Sequence, residues 1–125
     1  MPDLCPCSSL KPFSECCEPY IKGLANAPTA EALMRSRYSA YAVHDAEYLY
    51  NTSAPAMRRH LTKPSILHWA KSNHWVKLEI VRATVNMVEF KAYYLDNKLQ
   101  ARVHHEVSIF VQQNGTWLYE DGSYT

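Results

Sequence analysis

All four cysteines of the 125-residue chain lie near its start. They form two pairs, Cys5 with Cys7 and Cys16 with Cys17, and the segment between the pairs is long enough to fold the second pair back over the first. Zinc accepts four thiolates in a tetrahedron, with Zn–S bonds of about 2.3 Å. A segment this short cannot fold by apolar burial alone, whereas zinc binding can supply about 10 kcal/mol. The pattern therefore predicts a zinc site with these four ligands.

Disulfides and unpaired thiols are the alternatives for the cysteine cluster. The N-terminal residues show no basic segment followed by an apolar run, which a secretory signal would have. No stretch approaches the roughly 20 apolar residues of a membrane-spanning helix, so no membrane partner is expected. We therefore expect a cytoplasmic protein, and in that compartment clustered cysteines bind metal more often than they form disulfides. A site closed by four thiolates is structural, because a catalytic zinc keeps one position open.

Composition excludes several classes of protein. Hydrophobic residues make up 47% of the chain, which is enough for the core of one compact domain, and the formal net charge of +1 is too small to attract nucleic acid by itself. Arg58, Arg59, His60 and Lys63 form a small basic group, which is either a solvated surface or a contact for an anion or nucleic acid. No aromatic residues alternate with these basic residues, so a nucleic-acid partner is not expected.

The first half of the chain has helical periodicity after a connector. Thr29 is a predicted N-cap, and apolar residues then recur at three- and four-residue spacing. Asp45 is placed to cap a second, short helix. The predicted segments are a connector (19–28), three helices (29–43, 46–52 and 63–72) and a loop (53–61).

The second half has the period of strands. The predicted strands are 75–86, 88–94, 101–113 and 116–121. Asn114-Gly115 is a strong signal for a hairpin turn. Segregated helices and antiparallel strands indicate an α+β fold. We expect a zinc hairpin over 1–22 and an α+β domain over 23–125. The order of elements resembles the cone-shaped roll of nuclear transport factor 2, also called cystatin-like, in which a curved sheet wraps a long helix and leaves a pocket.

Two motifs resemble known families. Cys-x-Cys-x8-Cys-Cys resembles the SEC-C motif, a zinc-binding hairpin of many bacterial proteins and of the SecA translocation motor, where it contacts the chaperone SecB. Ser8 stands where that motif usually has glycine. The segments 33–41, 106–110 and 114–122 resemble the YchJ-like family of uncharacterised bacterial proteins. Many members carry a second SEC-C motif, and none follows Gly122 here. The resemblance implies a fold, a structural zinc and a possible protein partner, but no reaction.

Polar residues on the last two strands are candidates for the pocket. Strand alternation places Glu106 with Ser108 on one face, and Tyr119 with Asp121 on one face of the next strand. Carboxylates inside the cone need partners, and two arginines of the long helix are the expected ones. These residues form either a buried Arg–carboxylate pair that docks the helix or a pocket for a small molecule. The candidates are Arg35, Arg37, Tyr38, Trp75, Glu106, Ser108, Tyr119 and Asp121.

Three hypotheses for function follow. The leading one is a binding or adaptor protein whose zinc hairpin contacts a protein partner, because no catalytic constellation can be argued from spacing. His104 and His105 are neighbours on a strand and therefore face opposite sides. The alternative is a small-molecule binder or enzyme that uses the pocket, which requires that Phe90, Phe110 and Trp117 do not fill it. The third is a zinc-stabilised domain with no separate ligand.

Overall fold

The computed structural model describes residues 3–124, in which the helices precede the strands. The elements are a 3₁₀ turn (Phe13–Glu15), the helices α1 (Glu18–Ile21), α2 (Ala30–Ala42), α3 (Ala46–Asn51), α4 (Pro55–Arg58) and α5 (Lys63–Ser72), and the strands β1 (His74–Ala83), β2 (Met87–Leu95), β3 (Ala101–Gln113) and β4 (Thr116–Tyr124). This is the predicted α+β order. None of the helices in this range is both long and apolar enough to cross a membrane.

Side-chain caps fix where the helices begin. The Thr29 hydroxyl accepts a hydrogen bond from the Ala32 amide at 3.0 Å, and Asp45 accepts one from the Tyr48 amide at 3.0 Å. These bonds satisfy amides that lack a partner within the first turn of a helix. Both predicted caps are confirmed, and α5 has the predicted bounds.

Two segments without predicted structure contain short helices. The connector predicted over 19–28 begins inside α1, and the loop predicted over 53–61 contains α4. A proline lies in the first turn of each helix, Pro19 in α1 and Pro55 in α4. Proline at that position needs no N–H donor and has a φ angle suited to a helix. Here proline starts the helices, whereas the prediction assigned these residues to a connector and a loop.

The four strands form one antiparallel sheet in the order β1-β2-β3-β4. Helix α2 packs on one face of the sheet, and the main core lies between them. The core includes Leu33, Met34 and Tyr38 of the helix, and Phe90 and Phe110 of the sheet, all buried. Register shifts interrupt β1 and the β3–β4 pairing. Such bulges bend strands and increase twist, so the sheet curves over the helix.

Candidate functional site

The cysteines come together in a short hairpin at the N-terminus. Leu4 bridges Pro12 in antiparallel fashion, and the Cys5 amide donates to the carbonyl of Lys11 at 2.8 Å. The turn brings the first two cysteines over Cys16 and Cys17, and the four Sγ atoms lie within 4.8 Å of one another. None of the four is in a disulfide.

The sulfur spacing fits a tetrahedral metal ion. The Sγ atom of Cys16 lies 3.7 Å from that of Cys7 and 3.9 Å from that of Cys17. A tetrahedron with Zn–S bonds of about 2.3 Å has edges of about 3.8 Å. Cys5, Cys7 and Cys17 are buried and Cys16 is partly exposed, so solvent reaches the cluster mainly at Cys16. The donor set is soft and closed, which suits zinc in a structural role.

The thiols of the cluster influence one another's ionisation. Hydrogen bonds with Cys17 and Cys5 hold the pKa of the Cys7 thiol well below its usual range. Hydrogen bonds with Cys5 and Cys7, together with burial, raise the pKa of the Cys17 thiol. The cluster therefore does not hold four thiolates without a cation, and a divalent metal would allow all four to ionise.

Polar groups surround the sulfurs. The Ser9 hydroxyl lies 3.2 Å from Cys16 Sγ, and the Ser39 hydroxyl of α2 lies 3.4 Å from Cys5 Sγ. Arg35 Nη1 donates to the Cys7 carbonyl at 2.9 Å and lies 4.0 Å from Cys7 Sγ. Arg35 therefore supports the cysteine hairpin, and the prediction that it lies in the pocket was wrong. It shares the helix with Arg37, but residues two apart on a helix face different directions.

Ser8 attaches the cysteine hairpin to the sheet. Its Oγ accepts a hydrogen bond from the Leu78 amide of β1 at 3.0 Å. Its φ angle is 69°, in the left-handed region that favours glycine. The turn that usually needs glycine is thus made here by a serine whose side chain bonds the neighbouring strand.

A cavity of about 250 Å³ lies between the helices and the concave face of the sheet. Phe90 forms part of its wall, whereas Phe110 and Trp117 do not line it, so the large core side chains leave the space open. Six of the predicted pocket residues line this cavity: Arg37, Tyr38, Trp75, Glu106, Ser108 and Tyr119.

Glu106 is a buried carboxylate held by three donors. Oε1 accepts from His104 Nε2 at 2.7 Å, and Oε2 accepts from Tyr119 at 2.9 Å and from the hydroxyl of Ser108. Burial raises the pKa of Glu106, but the bonds from His104, Ser108 and Tyr119 outweigh burial and hold this pKa below its usual value. The predicted arginine partner was therefore wrong, since a histidine and two hydroxyls hold this carboxylate.

Gly122 and His104 belong to this carboxylate site, and the prediction omitted both. A Cβ atom at Gly122 would overlap Glu106 Oε2 and the Tyr119 hydroxyl, so any residue other than glycine would displace the carboxylate. The available signal for His104 was its position two residues before Glu106, on the same strand face. The neighbouring His105 faces the other side, where its Nε2 lies 2.7 Å from Glu89 Oε2.

Asp121 lies outside the cavity, contrary to the prediction. The pairing runs from Phe110 with Tyr119 to Ile109 with Asp121, so Glu120 is an extra residue in β4. This bulge reverses the faces of the residues that follow it. Gly122 therefore faces the cavity, and Asp121 is exposed.

Arg37 crosses the interior from α2 to the end of α3. Its Nη1 donates to the Leu49 carbonyl at 2.9 Å and to the Thr52 hydroxyl at 2.7 Å, with Ser53 Oγ at 3.4 Å. The guanidinium carbon lies 4.7 Å from the centre of the Tyr119 ring. The expected Arg–carboxylate pair is not formed within residues 3–124, because Arg37 bonds only neutral oxygens there.

Aromatic rings form another part of the cavity wall. The Trp75 ring centre lies 5.3 Å from that of Tyr41, 6.0 Å from that of Tyr38 and 6.3 Å from that of Trp69. Burial raises the pKa of both tyrosines, so their hydroxyls stay protonated. This wall is apolar except for the two hydroxyls.

The basic group predicted over 58–63 is partly structural. Arg58 donates to the Ser53 carbonyl at 2.8 Å and to the Asn51 carbonyl at 2.9 Å, which fixes the connection between α3 and α4. Lys63 lies 3.8 Å from a carboxylate oxygen of Glu47. Two of the four basic residues therefore have internal partners.

Comparison with known proteins agrees with both parts of the fold. A family model described as "YchJ, middle NTF2-like domain" matches residues 29–122, and the SEC-C motif model matches residues 1–19. A UPF0225 protein of Geobacter sulfurreducens is 40% identical over 98% of this chain and 80% of its own length. A UPF0225 protein of Streptomyces coelicolor is 38% identical over 96% of this chain and 94% of its own length.

Two solved structures are similar over nearly the whole chain. The solution structure of a SEC-C motif containing protein from Rhodopseudomonas palustris has a TM-score of 0.89 at 30% identity, and covers 98% of this chain and 99% of its own. The crystal structure of a SEC-C motif containing protein from Psychrobacter arcticus has a TM-score of 0.79 at 31% identity, and covers 98% and 83%. The chain therefore belongs to the YchJ-like, UPF0225 family of SEC-C motif proteins, with the nuclear-transport-factor-2-like fold.

Proposed function

We propose that this protein binds a small molecule in the cavity of its nuclear-transport-factor-2-like domain. The observation that carries the proposal is an open space of about 250 Å³ with a buried carboxylate and a buried arginine on its wall. Small-molecule sites are mostly apolar concavities with a few placed polar groups. Folding alone would favour filling such a space, because empty volume in a core lowers stability.

The proposal is binding, and catalysis is the weaker alternative. Glu106 already accepts bonds from three side chains, which suits a fixed carboxylate better than a free general base. Ser108 is fully buried and its hydroxyl donates a hydrogen bond to Glu106, which does not suit a nucleophile. We infer that Glu106 sets the shape and charge of the cavity.

Zinc in this proposal is structural. The four cysteines would hold it, and it would supply folding free energy to the hairpin that bonds α2 and β1.

The metal content tests this role. We expect about one zinc per chain by elemental analysis of the purified protein. We expect Cys17→Ser to lose most of the metal and exposed Leu10→Ser to retain it. Metal-free wild type with two disulfides would contradict the proposal. Because the thiols must stay reduced, the site fits a cytoplasmic location.

Ligand binding can be tested with one variant that fills the cavity and one control variant with the same substitution outside it. Ala92 is buried and lines the cavity, whereas Ala101 is exposed at the start of β3. We would screen a fragment library against the zinc-loaded chain by ¹⁹F NMR and map each hit by amide shifts. Hits should map to the cavity, disappear in Ala92→Phe and persist in Ala101→Phe. A library without cavity hits, or hits that Ala92→Phe leaves unchanged, would argue against the proposal.

A second candidate function is protein contact through the cysteine hairpin. The specific observation is that Leu4 and Leu10 of this hairpin are 60% and 77% exposed. A photo-crosslinking residue at Lys11 should capture a partner in cells, and the double variant Leu4→Ser, Leu10→Ser should lose that partner while it keeps its metal. Capture that is insensitive to both leucines would exclude this surface.

A further inference from the structure

Arg37 is a buried cation without an anionic partner. It is 6% exposed, and within residues 3–124 no carboxylate oxygen lies within 4.0 Å of its guanidinium nitrogens. Its three hydrogen bonds go from Nη1 alone to the neutral oxygens of Leu49, Thr52 and Ser53. Buried charges are costly unless they are paired. An anion from outside the chain would remove this cost.

The remaining donors of Arg37 face the cavity. In the described part of the chain, Nε and Nη2 have no hydrogen-bond partner, and every fully enclosed side-chain nitrogen or oxygen has one. Nε and Nη2 therefore border open space, and the cavity is the space that Arg37 lines. Two neighbouring guanidinium N–H groups match the two oxygens of a carboxylate, and a bidentate contact of this kind is strong and directional.

Glu106 does not take this anion position. Its oxygens accept from His104, Ser108 and Tyr119. Tyr119 stands between the two charges, with its ring against the Arg37 guanidinium and its hydroxyl on Glu106. The Glu106 charge nevertheless lies on the same cavity wall, and it disfavours a ligand with a double negative charge.

Tyr41 adds one more donor beside Arg37. It lies four residues later on α2 and lines the same cavity, so the two side chains are neighbours on one helix face. Among residues 3–124 its hydroxyl has no hydrogen-bond partner. Burial raises the pKa of Tyr41, and both Arg37 and Glu106 lie close enough for their charges to act on it. Trp69, Trp75 and Phe90 form an aromatic wall around these polar groups.

We propose that the ligand is a small organic monocarboxylate with an aromatic or apolar body. Arg37 binds the carboxylate through Nε and Nη2, Tyr41 donates to one of its oxygens, and the body packs against Trp75 and Trp69. The inference rests on the proposed small-molecule function and adds the chemical class of the ligand.

Three probes of similar shape and different charge test the chemical class of the ligand independently of whether the cavity binds a ligand at all. We would titrate the zinc-loaded chain with 4-fluorophenylacetate, 4-fluorophenylacetamide and 4-fluorophenethylamine, and follow ¹⁹F shifts and amide shifts. The acid should bind about tenfold tighter than the amide, since a charged bond replaces a neutral one. If the amide or the amine binds as tightly as the acid, the cavity binds ligands and the anion inference fails. If neither these probes nor the fragment library binds in the cavity, both proposals fail.

Two variants test the assigned donors. Tyr41→Phe removes one hydroxyl and should weaken acid binding ~3- to 10-fold, and amide binding by less, because a neutral carbonyl is a weaker acceptor than a carboxylate. Tyr50→Phe, on α3 outside the cavity, is the control and should leave both unchanged. Arg37→Gln should abolish the preference for the acid, provided that its amide spectrum shows a folded chain. An acid affinity that is unchanged in Tyr41→Phe would overturn the assignment, even where Arg37→Gln does not fold.

Discussion

The carboxylate of Glu106 leaves no room for a side chain at Gly122. A Cβ atom at Gly122 would overlap Oε2 of Glu106 and the Tyr119 hydroxyl, both on the concave face of the sheet. The contact joins β4 to the buried carboxylate of β3, and it occurs because the bulge at Glu120 turns Gly122 inward. The backbone angle is not the constraint at this position, since Gly122 is not among the positive-φ residues.

Replacing Gly122 with alanine should therefore displace Glu106. We expect Gly122→Ala to lower the free energy of unfolding by about 1–3 kcal/mol, the usual cost of overpacking. Urea denaturation of the zinc-loaded protein measures it. Ser123→Ala, one residue later and exposed, is the control and should change stability by less than about 0.5 kcal/mol. Equal stability of the two variants would show that the carboxylate moves aside freely.

Glu106 should make stability depend on pH in the acid range. Its pKa in the folded protein lies below the usual 4.5 because His104, Ser108 and Tyr119 donate to the carboxylate. The stabilising contribution is thus fully present above pH 4.5 and is lost as the pH falls through the folded value. We expect the stability advantage over Glu106→Gln, about 2 kcal/mol at neutral pH, to shrink below pH 4.5. Urea denaturation at a series of pH values measures it, and an advantage that grows on acidification would contradict this sign.

The positions of the helices and strands could be predicted from the sequence better than the side chains that face the cavity. Caps such as Thr29 and Asp45 are local, so the helix starts could be placed without the fold. Strand alternation correctly paired Glu106 with Ser108, but it assigned Asp121 to the cavity because an extra residue in β4 leaves no trace in the pattern. Which partner holds Glu106 depends on the packing of β3 against β4, and no spacing rule contains that information. The two arginines of α2 could have been separated in advance, since positions two apart diverge by about 200°.

Arg35 should matter for the metal and not for the cavity. Its guanidinium donates to the Cys7 carbonyl and lies beside Cys7 Sγ, where it would offset the negative charge of a zinc tetrathiolate. We expect Arg35→Gln to lose zinc to a competing chelator about 10- to 100-fold more readily, as for other residues that support metal ligands. A colorimetric chelator assay measures the loss. Arg82→Gln removes a surface ion pair with Glu89 and is the control that should leave zinc retention unchanged.

Ser8 should show two opposing effects that different replacements separate. With φ at 69° its backbone costs about 1–2 kcal/mol in any residue with a Cβ, while its hydroxyl satisfies the Leu78 amide, a bond that contributes about 1 kcal/mol. Ser8→Ala keeps the strain and loses the bond, so it should destabilise the protein. Ser8→Gly loses the bond but also the strain, so its stability should lie near that of wild type. Urea denaturation of the zinc-loaded proteins should rank Ser8→Gly above Ser8→Ala, and the reverse order would mean that the backbone strain is negligible. A Ser8→Ala variant as stable as wild type would mean that the hydroxyl does not hold the hairpin against β1.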